Sequence, residues 1–133
     1  MTAQVVALPD PLTTGLDQVE AALRQMPIGG WDGLEDTVVR ANAGRMMRLA
    51  SMLAAHQAAA TRVLDESGLA RRSGASSTGA LLAGDFGGDR AAGDRMVRTG
   101  QLLSRAGKVE EALAAGTVTE RQAKTIATAV DTV

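Results

Sequence analysis

A chain of 133 residues is long enough for one domain with a real core. Its 45% hydrophobic content is mostly Ala, Leu and Val, with one Trp, one Phe and no Tyr, which suits close helix packing and disfavours β-sheet. The lack of Cys and the single His56 exclude disulfides, zinc–thiolate sites, cysteine nucleophiles and multi-histidine metal centres, and a net charge of −1 gives no global signature of nucleic-acid binding.

No apolar run approaches the ~20 residues of a membrane span. The N-terminus MTAQVVALPDP lacks the positive region and long apolar stretch of a signal peptide. A soluble, cytoplasmic, all-α protein without membrane contact is the expectation. Charge is unevenly placed: residues 1–66 hold five Arg against eight acids, and residues 67–133 hold nine Arg or Lys against seven. That asymmetry allows a basic face on the C-terminal half.

In chain order, residues 1–15, with Pro9, Pro11 and Gly15, read as a flexible tail, followed by a single helical domain over 16–133. A first helix carries Leu16, Val19, Leu23 and Met26 on one face, and Pro27 and Gly29-Gly30 stop it. The longest helical pattern runs from about Leu34 to Glu66. Within it Val39, Asn42, Met46, Leu49, Leu53, His56, Ala60 and Val63 alternate steps of three and four, the seam of a coiled coil or of a long bundle helix. Gly44 is its one weak point. Polar Asn42 and His56 either lie at wet edges of an intramolecular bundle or help fix the register of a homodimer built on this helix.

Residues 67–76, SGLARRSGAS, read as a loop carrying Arg71 and Arg72. Ser76 or Ser77 caps a short helix to about Asp85, Phe86-Gly87-Gly88 is a turn, and Asp89 caps the next helix. In that helix Ala92, Met96, Leu102 and Leu103 share a side, and Gly107 ends it. A helix from Val109 to Ala115 stops at Gly116. Thr119-Glu120-Arg121-Gln122 is a capping box opening a last helix with an Ala123, Ile126, Ala127, Val130 stripe. The stop at Val133 without a tail hints at a fragment of something longer.

The stretch GALLAGDFGGDRAAGDRMVR, residues 79–98, has the order of a helix-turn-helix. Ala83 is the small residue at the crossing, Gly87 lies in the turn, and Leu82, Phe86 and Met96 can lock the angle. Arg90, Ala91, Asp94 and Arg95 then face outward, where Arg can donate bidentate hydrogen bonds to guanine. Gly88 and Gly93 count against this reading, since one loosens the turn and the other stands where an apolar lock belongs. A plain packed hairpin is the competing reading.

The wider stretch SSTGALLAGDFGGDRAAGDRMVRTGQLLSRAGKVEEALAAGTVTERQAKTIATAV resembles domain-of-unknown-function family 222, the 13E12 repeat family of actinobacteria. The elements that carry the resemblance are Ser77-Thr78, Leu81-Leu82-Ala83, Gly87, Ala91 to Leu103, Ala112 to Gly116, and Thr119 with Gln122-Ala123. The match spans most of residues 34–133. Family members often carry Trp where Leu81 stands, whereas the one Trp here is Trp31.

The resemblance implies a helical region that precedes an HNH endonuclease domain. The order of elements also resembles the DNA-binding region of ParB-type partition proteins. An HNH site needs at least two histidines to activate water and hold a divalent metal, so this chain, with His56 alone, is expected to have no catalytic activity and no cofactor. Ser73, Ser76, Ser77 and the Asp85/Asp89 pair read as loop and capping residues.

The resulting expectation is a non-catalytic module of an HNH-nuclease-associated protein. It binds double-stranded DNA through Arg90, Arg95 and Arg98, with Arg71, Arg72, Arg105, Arg121 and Lys124 as phosphate contacts, or it positions the nuclease domain. The alternative is an oligomerisation or interaction module without nucleic-acid contact, a homodimer through residues 34–66.

Overall fold

The structure, a computed structural model, describes residues 10–131, with the exception of the Phe86 side chain. Among these residues it is all-α. Seven α-helices run in the order α1 (Pro11–Gln25), α2 (Asp36–Glu66), α3 (Leu69–Arg72), α4 (Thr78–Phe86), α5 (Arg90–Ser104), α6 (Gly107–Ala114) and α7 (Glu120–Asp131), with a 3-10 segment at Ile28–Gly33. No helix among the described residues is long and apolar enough to cross a membrane.

By internal contacts the chain divides into two compact units, Met1–Ala41 and Asn42–Val133, where the sequence reads as one domain from residue 16. In the first unit α1 begins earlier than expected. Pro11 supplies its first turn, where a missing N–H costs nothing, and Asp10 caps it by accepting from the Thr13 N–H at 2.8 Å. Residues 11–15 of the expected tail are therefore helix, while residues 1–9 lie outside the described residues. Leu12, Leu16, Val19 and Leu23 form the apolar stripe of α1, and all four are exposed.

In the second unit the core is built from small residues. Ala54, Ala55 and Ala58 of α2 meet Leu103 at the end of α5, Ala106, Leu113 of α6, and Ala123 and Ala127 of α7. Leu103 and Leu113 are the largest side chains fully buried there. Alanines let helix backbones approach closely, and Gly100 of α5 carries this furthest, since a Cβ at that position would run into the Ala58 carbonyl oxygen. Polar residues in this face are satisfied locally. Ser51, Thr61 and Thr99 each donate to the carbonyl four residues back, of Met47, Gln57 and Arg95 at 3.1, 2.6 and 2.9 Å.

The buried face of α2 is thus Ser51, Ala54, Ala55, Ala58 and Thr61. The heptad seam is not the face that packs inward. Met46, Leu49, Leu53, His56, Ala60 and Val63 are all exposed. Burial of the larger side chains is the usual choice for a bundle helix, but here close approach of α5 requires the alanine face. The stripe expected on α7 divides in the same way: Ala123 and Ala127 are buried, Ile126 and Val130 exposed.

Two polar clusters tie α2 to the following helices. Arg62 forms a half-buried ion pair with Glu110 of α6 at 3.0 Å. Asp65 accepts from Thr78 Oγ1 at 2.8 Å and from Gln101 Nε2 at 3.3 Å, so one carboxylate holds the start of α4 and the last turn of α5.

The helix ends follow their local chemistry. Ser77 caps α4 by accepting from the Ala80 N–H at 3.0 Å, and Asp89 caps α5 by accepting from the Ala92 N–H at 3.1 Å. After α6, Gly116 is left-handed at φ 75°. The N–H groups of Gly116 and Thr117 reach back to the carbonyls of Leu113 and Ala112, both at 3.0 Å, the paired pattern of a Schellman end. A side chain at Gly116 would strike Arg48. The capping box before α7 is reciprocal: Gln122 N–H donates to Thr119 Oγ1 at 3.1 Å, and Thr119 N–H to Gln122 Oε1 at 2.9 Å. Two further boundaries differ from expectation. Gly107 opens α6 rather than ending α5, and residues Leu69–Arg72 form the helical turn α3 inside the expected loop.

Candidate nucleic-acid interface

The α4–α5 hairpin turns at Gly87 and Gly88, whose φ values of 87° and 118° are conformations open to glycine and strained for other residues. Gly88 therefore completes the turn instead of loosening it. The helices cross at Gly79 of α4 and Gly93 of α5, both buried, rather than at Ala83, which is half-buried. A Cβ on Gly93 would sit 2.5 Å from the Gly79 carbonyl oxygen and 2.9 Å from its Cα. A Cβ on Gly79 would lie 2.7 Å from the Asp94 nitrogen. Gly93, which on sequence argues against the hairpin, is what lets its two backbones touch. Leu82 and Met96 are half-buried as locking residues; the Phe86 side chain lies outside what is described.

This crossing turns the opposite face of α5 to solvent. At about 100° per residue, Arg90, Ala91, Asp94, Arg95, Arg98, Gln101 and Arg105 fall within one arc. Of these only Asp94 is half-buried; the rest are exposed. The outward positions expected from the helix-turn-helix order are thus outward in the structure, and α5 with its C-cap residue Arg105 gathers four of the candidate arginines.

Their charges are not equally available. Arg105 is held by both carboxylate oxygens of Asp131 at 3.3 Å. Arg90 Nε lies 3.9 Å from Asp94 one turn on, with the arginine 63% exposed, a pair that solvent screens heavily. Arg95 and Arg98 form no ion pair among the described residues.

The remaining candidates lie on other elements. Arg71 and Arg72 sit on α3, which packs beside α4, and Arg72 donates to the Ser67 carbonyl. Arg121 and Lys124 stand at the start of α7. They line a shallow groove of ≈ 520 Å³ with Met47, Ala50 and Ser51 of α2, and Lys124 pairs with Glu120 at 3.5 Å. Among the candidates, the guanidinium groups of Arg95, Arg98, Arg71 and Arg121 have neither a carboxylate nor a carbonyl partner among the described residues.

What the sequence reading missed is the pair of helix-interior glycines as a crossing point. The available signal was that each stands where a helix former is preferred by about 1 kcal/mol. Comparison with protein-family models, with curated proteins and with solved structures finds no match to this chain.

Proposed function

We propose that this chain is a non-catalytic helical module that contacts double-stranded DNA through the outer face of α5, as part of an HNH-nuclease-associated protein of the kind the sequence resembles. The observation that carries the reading is the placement of Arg90, Arg95 and Arg98 on one exposed arc, at the start of a helix clamped from behind by the Gly79–Gly93 crossing. A rigid backing matters because base-edge and phosphate contacts demand fixed geometry from otherwise flexible arginines. Arg95 and Arg98 supply charge that no neighbouring carboxylate consumes, and Arg90 exchanges its long contact with Asp94 for a phosphate. Arg71 and Arg121 add sequence-independent phosphate contacts. With only four open cations among the candidates, binding is weak and non-specific in magnitude, on the order of 10⁻⁴–10⁻⁶ M.

Fluorescence anisotropy with a labelled duplex at low salt tests this. The wild type gives a saturable rise, and Arg95→Glu with Arg98→Glu abolishes it while circular dichroism stays unchanged. Absence of a rise at low salt with long duplex, or equal binding by the charge-reversed variant, ends the proposal.

A further inference from the structure

The alanine face of α2 serves the core, which leaves the part of the heptad seam from Met46 to Val63 exposed among the described residues. Met46, Leu49, Met52, Leu53 and Val63 are 43, 52, 36, 44 and 61% exposed, on about 26 Å of continuous helix at 1.5 Å per residue. Steps of three and four place Met46, Leu53 and Ala60 at one set of core positions of a heptad, and Leu49, His56 and Val63 at the other. Ser51, Ala54, Ala55, Ala58 and Thr61, the buried residues, then occupy the three positions on the far side. One helix therefore carries two packing faces of different character. The inner one is built of small residues at helical spacing, the outer one of Met46, Leu49, Leu53 and Val63 with His56 and Ala60 between them, in the strict repeat that knobs-into-holes pairing uses.

We propose that the outer seam binds a second copy of this chain, with the two α2 helices antiparallel. The repeat is self-complementary, and the orientation follows from charge. An antiparallel pair whose two-fold axis passes between the levels of Ala54 and Ala55 sets Met46 against Val63, Leu49 against Ala60 and Leu53 against His56 of the second copy. The same register brings Arg45, on one border of the seam, to within two residues of axial rise (about 3 Å) of Glu66 on the matching border of the other helix, twice per dimer, a gap that long side chains span. Both residues are exposed, and neither forms an ion pair among the described residues. A parallel pair instead stacks His56 on His56 and leaves Arg45 and Glu66 without each other.

The remaining border residues between them are Ala50, Met52, Gln57, Ala59 and Leu64, all uncharged, so no like-charge contact between border residues opposes the approach. Two seams of this length bury on the order of 1,200 Å² in total, the lower bound of specific interfaces. An interface at that lower bound fits a weak dimer whose population depends on protein concentration. This inference stands apart from DNA contact, since it uses none of the α5 arginines.

Sedimentation equilibrium across a concentration range tests it. The wild type shifts from monomer to twice the monomer mass as concentration rises, and Leu53→Asp raises the dissociation constant at least tenfold. Circular dichroism of the variant stays unchanged, because Leu53 is exposed in the monomer. Arg45→Glu alone and Glu66→Arg alone each weaken association several-fold, and the double variant restores it. A monomer at every concentration, or a dimer indifferent to Leu53→Asp, overturns the interface. Failure of the double variant to recover overturns the antiparallel register.

Discussion

Gly93 and Gly44 are both helix-interior glycines, yet the structure gives them opposite roles. Added bulk at Gly93 meets the Gly79 backbone at 2.5 Å, and neither partner is a flexible side chain that can give way. The Gly93→Ala variant gains helix propensity worth about 1 kcal/mol but forces α4 and α5 apart, so a net loss of about 2–3 kcal/mol is expected. At Gly44 nothing lies within 4 Å of an added Cβ, so Gly44→Ala stabilises α2 by about 0.5–1 kcal/mol. Urea unfolding of the two variants checks the pair. Equal effects would mean that the hairpin crossing is not the close contact described.

At the scale of elements, the ends of helices follow from local chemistry that can be read along the chain. Thr119 and Gln122, Asp89, Ser77 and Gly116 all act at the ends expected of them, because a cap is decided by residues within four positions of one another. Which face of a helix turns inward is decided by residues far away. The α2 seam reads as its packing face on hydrophobicity alone; the alanine face wins because Gly100 and Leu103 of α5 need a shallow surface to approach. For the same reason Gly93 looks like a defect until Gly79 stands opposite it. The outward arginines of α5 were legible because amphipathic spacing fixes them once the turn is placed, whereas the pairing of Arg105 with Asp131 was not, since 26 residues separate the two.

The start of α1 shows the same local control and adds a pH dependence. Asp10 accepts from the Thr13 N–H and from Thr13 Oγ1 at 2.8 and 2.7 Å, and these bonds hold its carboxyl below its usual value of 3.8. A pKa that is lower in the folded helix means a cap present in full above the unfolded value and lost as pH falls through the folded one. Backbone NMR shifts of Pro11 to Thr14 should therefore report fraying only below the ordinary carboxylate range, and Asp10→Asn should remove that acid transition. Fraying with a midpoint near pH 5 would contradict the cap.

For the whole molecule, composition, the absence of strands among the described residues and long α2 agree on an all-α architecture, with each compact unit built from consecutive segments. The net charge of −1 hides a basic excess after residue 66, and α5 concentrates part of that excess on an exposed arc backed by a glycine crossing. Dimerisation through the outer seam of α2 would double the number of such arcs in one particle, the arrangement that dimeric helix-turn-helix proteins use. The claim on which the functional account rests is that the arginines of α5 neutralise phosphates. The salt dependence of DNA affinity measures this directly, because log K falls with log salt by about 0.9 for each phosphate neutralised on duplex DNA. The wild type should give a slope of about −3 to −4, and Arg95→Ala with Arg98→Ala should make it shallower by about 2. A slope near zero, or one that the double variant leaves unchanged, would contradict the account.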